Sequence, residues 1–372
     1  IEGTANWTGG NLVGRRFNPD YNTPLGILAI KPTGTLNVSA NAVYYTDTGS
    51  PMLPFNNTGT ISVTGGLELQ GGGTWGSGVL QQGRVRLTSG TIAFSPGAVI
   101  TGAGGLKLEG GSAVIRNEGG QVATISNLDQ SGGNILGLGT ITITSSSNWT
   151  GGDQRESGRT VYDTNAVLTL QGGTRGMYDR FFDLKGTANW VSNHTVARRL
   201  NSDYVNTPLG GFTVKNGGIF NAKTDASWYS DTGTPNLFFT LDSGATFNRT
   251  TATGEASIQS PFHSQGTINV ASGVLRLAGG GNWGNTVLQQ GRVTLGAGAF
   301  TLADTANITG PGILTSTGTA VVRSEQGKTA TIANFDILGG TVAGLGTITV
   351  TESSHWTTGN QFDQGKTIYA PT

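Results

Sequence analysis

The chain has no cysteine among its 372 residues. Disulfide staples, thiolate metal sites and cysteine nucleophiles are thereby excluded, and a secreted bacterial protein that relies on backbone ladders fits this usage. Charge is scarce as well: Asp, Glu, Lys and Arg make up 12% of the residues, about half the ~25% of an ordinary soluble domain. The 22 basic residues balance the 22 acidic ones to a net charge of zero, with no run of either sign. Nucleic acid would demand a basic stripe, so a nucleic-acid partner is excluded. No apolar stretch approaches the ~18 residues that cross a bilayer, so no membrane span is expected in this segment. Helical periodicity is missing throughout.

What is present is glycine, 62 residues of it, with many Thr, Ser and Asn. Without a period such a composition would suggest disorder. Here it has one, and seven Trp, eight Tyr and fourteen Phe supply material for a core. Most phrases also occur twice. Asn6-Trp7 returns as Asn189-Trp190, Tyr45-Thr46-Asp47-Thr48-Gly49 as Tyr229-Ser230-Asp231-Thr232-Gly233, Trp75 as Trp283, and Gly137-Leu138-Gly139-Thr140 as Gly344-Leu345-Gly346-Thr347. The offset is 183 to 184 residues as far as Gly49/Gly233 and 207 to 208 from Gly59/Gly266 onward, so the second copy has gained 23 residues between Pro235 and Gly266.

Short alternating runs recur inside each copy, anchored at Ile61, Val85, Leu106, Ile125 and Ile141 and again at Ile268, Val293, Leu314, Ile332 and Ile348. Alternation over four to six residues between Gly-rich turns is the period of a half-buried strand. A sandwich or barrel that received one extra block would be left with an unpaired edge or reversed strands. A stack of near-equivalent coils accepts it as one more layer. The spacing therefore predicts an all-β fold, a right-handed parallel β-helix (β-solenoid) with irregular coils of about 16–25 residues. At ~4.8 Å of rise per coil, roughly 17 or 18 coils would make a rod of about 80–85 Å. The duplication divides it into residues 1–163, a first repeat lacking one coil and its N-terminal part, and 164–372, a second repeat with an extra coil near 241–264, in one continuous rod. The chain begins and stops in mid-unit, which predicts a piece of a longer tandem array whose partners are further copies of itself or the rest of that chain, head-to-tail.

The phrases Gly3 to Gly10, Ser147 to Gly152, Leu168 to Gly173, and Gly-Thr-Ile-x-Val at Gly59 and Gly266 resemble the degenerate repeats of large bacterial surface proteins. Filamentous-haemagglutinin-like adhesins, autotransporter passengers and giant secreted β-solenoids share this texture. The resemblance covers essentially the whole chain. It implies an exported, elongated, non-catalytic scaffold at the cell surface or outside the cell, and names no ligand.

Two groups of residues are candidates for binding surface glycans. Trp7, Trp149, Trp190 and Trp356 recur in Trp-x-x-Gly phrases, degenerate at Trp190. Exposed in a row they would form a sugar-stacking platform; buried, each would close a coil corner with its N–H on a loop carbonyl. Arg15, Arg16, Asp20 and Tyr21, with their twins Arg198, Arg199, Asp203 and Tyr204, lie in the most polar loops that both copies keep. They could hold an acidic sugar, the Asp and Asn oxygens of the loops could hold Ca²⁺, or each Arg could pair with its own Asp. Asp47 and Asp231 read as turn residues. His194, His263 and His355 have no histidine at the matching positions of the first copy, and no catalytic constellation of His, Ser and carboxylates emerges. The densest charge clusters are Asp153 and Glu156 near Arg155, and Asp179 and Asp183 near Arg180. The expectation is therefore not an enzyme, with no cofactor and no metal, but a structural segment of an extracellular fibre or adhesin shaft. A carbohydrate-binding or polysaccharide-cleaving β-helix is the alternative. The run Thr140-x-Thr142-x-Thr144 and its twin at Thr347 raise a third, an ice-binding solenoid.

Overall fold

A computed structural model describes residues 1–15, 26–48, 53–192, 195–198, 210–230 and 237–370. The fold is all-β, a parallel β-solenoid of about 15 turns, with no helix among the described residues. Every register given between strands is parallel, as at Leu36 on Ile61, Val85 on Leu106 and Ile125 on Ile143. Two compact units are distinguished, residues Ile1–Leu168 with Gly172–Arg180, and Thr169–Gln171 with Phe181–Thr372.

In each unit a turn contributes three strands, each pairing with its counterpart in the turns before and after. One turn of the first unit consists of Phe55–Asn57, Thr60–Val63 and Gly66–Leu69. Alternation sorts the side chains as the sequence requires: Ile61, Val85, Leu106, Ile125 and Ile141 point inward with the matching residues of the second unit, and all are buried. The anchors do not all occupy one column, however. Ile61 pairs with Leu80, whereas Val85 pairs with Leu67. Spacing from anchor to anchor therefore mixes steps between faces of the coil with steps between layers, and the expected 17 or 18 coils compare with about 15 turns.

The phrase Gly-Leu-Gly-Thr has a steric cause. Gly137 and Gly344 adopt φ of 97° and 101°, and a Cβ on either would stand 2.0 Å from the carbonyl oxygen of Asn117 or Ser324. Only glycine lets the chain pass that close to the layer below. Glu156 and Asp363 then accept the amide N–H of Gly137 and Gly344 at 2.8 and 2.9 Å.

In the second unit Phe238–Leu241, Thr246–Arg249 and Glu255–Ile258 form a complete turn. It pairs in register with Gly211–Val214 and Ile219–Ala222 on one side and with Thr267–Val270 and Val274–Leu277 on the other. The corresponding passage of the first unit goes straight from the turn containing Leu28–Ile30 to the one containing Phe55–Asn57. This layer's phase is set by Phe238, a few residues earlier than the offset change alone places it.

The core of the second unit is aromatic. Phe182, Phe212, Phe239 and Phe262 stack in successive layers at centroid distances of 5.9, 5.4 and 5.2 Å. Trp228 meets Phe212 and Phe239 edge-on at 5.4 Å each. Outside, Asn189, Asn221, Asn248 and Asn269 form a column in which each amide nitrogen donates to the oxygen of the preceding residue, at 3.2, 3.0 and 3.3 Å.

Candidate functional site

Two of the four candidate tryptophans are buried in the coil. Trp149 and Trp190 are 1% and 0% exposed, so of the two readings it is the buried corner that holds at these positions. The reason is strand parity, since Trp190 shares its parity with the inward Ala188. In Trp-Thr-Gly-Gly the indole N–H of Trp7 donates to Gly10 O at 2.9 Å, and that of Trp149 to Gly152 O at 3.2 Å. Trp7 is half-buried and Trp356 is 43% exposed. Trp75 and Trp283 likewise donate inward, to Phe55 O and Phe262 O. Arg15 and Arg198 end the strands Leu12–Arg15 and Thr195–Arg198. Arg16, Asp20, Tyr21, Arg199, Asp203 and Tyr204 lie outside the described residues.

The charge clusters are tied into the coil. Arg155 pairs with Asp153, and Arg116 reaches Glu156 at 3.2 Å. Arg180 is buried; it donates to the carbonyls of Gly137, Arg155 and Arg159 and to Thr160 Oγ1, at 2.9 to 3.2 Å. Burial lowers its pKa to about 10, so the guanidinium stays charged at neutral pH. Tyr162, also buried, has its hydroxyl pushed up to about 12. The threonine runs stack two layers deep in the second unit, Thr329 and Thr331 on Thr347 and Thr349, where the third layer offers Lys366 and Ile368.

A surface feature suited to a ligand is a groove of about 390 Å³ on the second unit, lined by Phe238, Thr240, Asp242, His263, Gln265 and Asn282. These are outward residues of adjacent strands and, at Asp242 and Gln265, of the corners that follow them. Phe238 rests on Gly211, where a Cβ would come within 2.6 Å of the ring, and meets His263 at a centroid distance of 6.0 Å. His263 Nδ1 accepts the backbone N–H of Asn282 at 2.9 Å. In the neutral ring the proton is therefore on Nε2, leaving that atom as a donor. Lys215 Nζ stands 3.3 Å from Asp242 and 3.8 Å from Asp183. The matching site of the first unit has Asn56 in place of His263, and its Oδ1 accepts Thr74 N–H at 2.7 Å.

The position of the first copy that matches His263 holds an asparagine, Asn56. That match captures the role of Nδ1 and says nothing of Nε2. Phe238 and Asp242 belong to the added layer and have no counterpart to compare. The usable signal is the register of Phe239 on Phe262, which sets Thr240 beside His263.

Burial holds the His263 pKa below its ordinary 6.5. On acidification the unfolded chain then takes up this proton before the folded one does. The stabilisation is complete above pH 6.5 and is lost as pH falls through the lowered folded value. The melting temperature of the second unit should accordingly fall on acidification from that point. His263→Asn, which keeps the acceptor for Asn282 N–H, should flatten this part of the profile, and an unchanged profile in that variant would overturn the assignment.

Comparison with protein-family models, curated proteins and solved structures gives no match for this chain.

Proposed function

We propose that the chain is a structural segment of an extracellular bacterial fibre or adhesin shaft, built by head-to-tail stacking of solenoid layers, and that it is not an enzyme. The observation that carries this reading is the added turn of the second unit, paired in register on both sides. Such a fold gains length by duplicating a layer, with no new core to invent. The absence of cysteine and the outward ion pairs that tie layers together are consistent with service outside the cell. Arg84–Asp129 and Arg292–Asp336, each at 2.9 Å, are the same tie in both units.

The test is immunogold labelling of intact producing cells with antibody against this segment, together with protease shaving. Label on the cell surface or on released filaments is expected, with loss of the antigen on shaving. Antigen confined to the interior of intact cells would overturn the proposal.

A further inference from the structure

We propose that the groove opened by the added layer of the second unit binds a neutral oligosaccharide, with Phe238 as the ring against which a sugar packs. This is independent of the shaft reading, since a groove on the side of a solenoid binds or fails to bind whatever the solenoid's larger role.

The argument is one of chemical complement. A pyranose has an apolar C–H face and a rim of hydroxyls that both donate and accept. Phe238 supplies a half-buried aromatic ring on the outer surface, immobilised on Gly211. Around it stand one donor-only group, His263 Nε2–H, and one acceptor-only group, the Asp242 carboxylate. The Thr240 hydroxyl and the amides of Gln265 and Asn282, which both donate and accept, complete the lining. His263 is fixed in orientation and tautomer by Asn282 N–H, so its donor is aimed before any ligand arrives. The groove's size lies within the ~300–1,000 Å³ common for small-molecule sites.

Charge selects among sugars. The Asp242 carboxylate lines the groove with no Lys or Arg beside it among the described residues of the lining, and His263 is held neutral by its surroundings, so the site repels uronic and sialic acids. A peptide adding as a β-strand is disfavoured too, because the strands flanking the groove are already paired on both sides. Length is indicated by a second depression of about 340 Å³, which shares Gln265 and is lined further by Ser243, Thr267, Asn285 and Asn307. A chain of sugars seated on Phe238 would continue past Gln265 onto this polar corner. The first unit lacks counterparts of Phe238, Thr240 and Asp242 and carries Asn56 for His263, so binding belongs to the second unit alone.

Calorimetric titration of the whole chain with the tetrasaccharides of β-1,4-linked glucose, galactose and mannose tests this, with tetragalacturonate as the acidic comparison. At least one neutral tetrasaccharide should bind saturably with Kd of about 1 mM or tighter, more tightly than its monosaccharide and than tetragalacturonate. Phe238→Ala should weaken it at least tenfold, about 1.4 kcal/mol. His263→Asn, which preserves the backbone bond as Asn56 does, should weaken it severalfold with the fold intact, so the outcome does not hang on one variant. No saturable binding of any neutral probe up to about 10 mM, affinity untouched by both substitutions, or preference for the acidic sugar would each overturn the proposal.

Discussion

Deleting residues 238–260 should leave a folded protein, whereas deleting 238–249 should unfold the second unit. The longer deletion removes one whole turn and joins Leu237 to Pro261-Phe262, recreating Leu53-Pro54-Phe55 of the first unit. Phe262 would then lie on Phe212 in place of Phe239, and Trp228 would meet Phe262 as Tyr44 meets Phe55, at 5.7 Å and edge-on. Inward residues stay inward and each strand keeps its column. The loss is one layer interface, and the exposed partner of Arg249, Asp225, passes to solvent at little cost. The shorter deletion removes two strands of three, so later strands arrive one or two columns out of place and meet neighbours of the wrong length and shape. Far-UV circular dichroism and hydrogen exchange over residues 262–300 separate the outcomes. Equal tolerance of both deletions would mean that this segment is not a layer.

Phe239→Ala should be among the most damaging single substitutions in the chain. The side chain is fully buried. Its ring lies within 6.0 Å of those of Phe212, Phe220, Trp228, Phe247 and Phe262, centroid to centroid. Removing it costs about 3–5 kcal/mol, a total that includes lost burial, the cavity left and the broken aromatic pairs. The neighbours that could relax into the space are themselves stacked above and below, so collapse is restricted. Because stability in a layered fold is a sum of neighbour terms, the damage should concentrate in the second unit. Hydrogen exchange should rise sharply in peptides covering residues 211–262 and little in those covering 84–149. A loss under about 1 kcal/mol would mean that the stack is loosely held.

The solenoid was legible because alternation and duplication are both properties of the chain in one dimension. The inward positions of Ile61, Val85, Ile125 and Ile141 follow from local period alone. The number of turns does not, because pairing partners are identified by register, and Ile61 and Val85 look equivalent in sequence while sitting in different columns. The tryptophans illustrate a signal that was present and underused: Ala5-Asn6-Trp7 and Ala188-Asn189-Trp190 put the indole on the apolar parity. The groove was not legible. Phe238 and His263 become neighbours only after a turn of the coil brings them side by side, and the outward face carries no periodic constraint that would mark them.

The asparagine column has a direction as well as a register. Its amide nitrogens at Asn221, Asn248 and Asn269 all point toward the lower-numbered layer and its oxygens toward the higher. The side-chain dipoles therefore add, and each bond polarises the next in the same sense. An inverted layer would set oxygen against oxygen or nitrogen against nitrogen at that point. The outer surface of the second unit thus carries a vector along these four layers, an array of aligned dipoles that distinguishes up from down without help from the core.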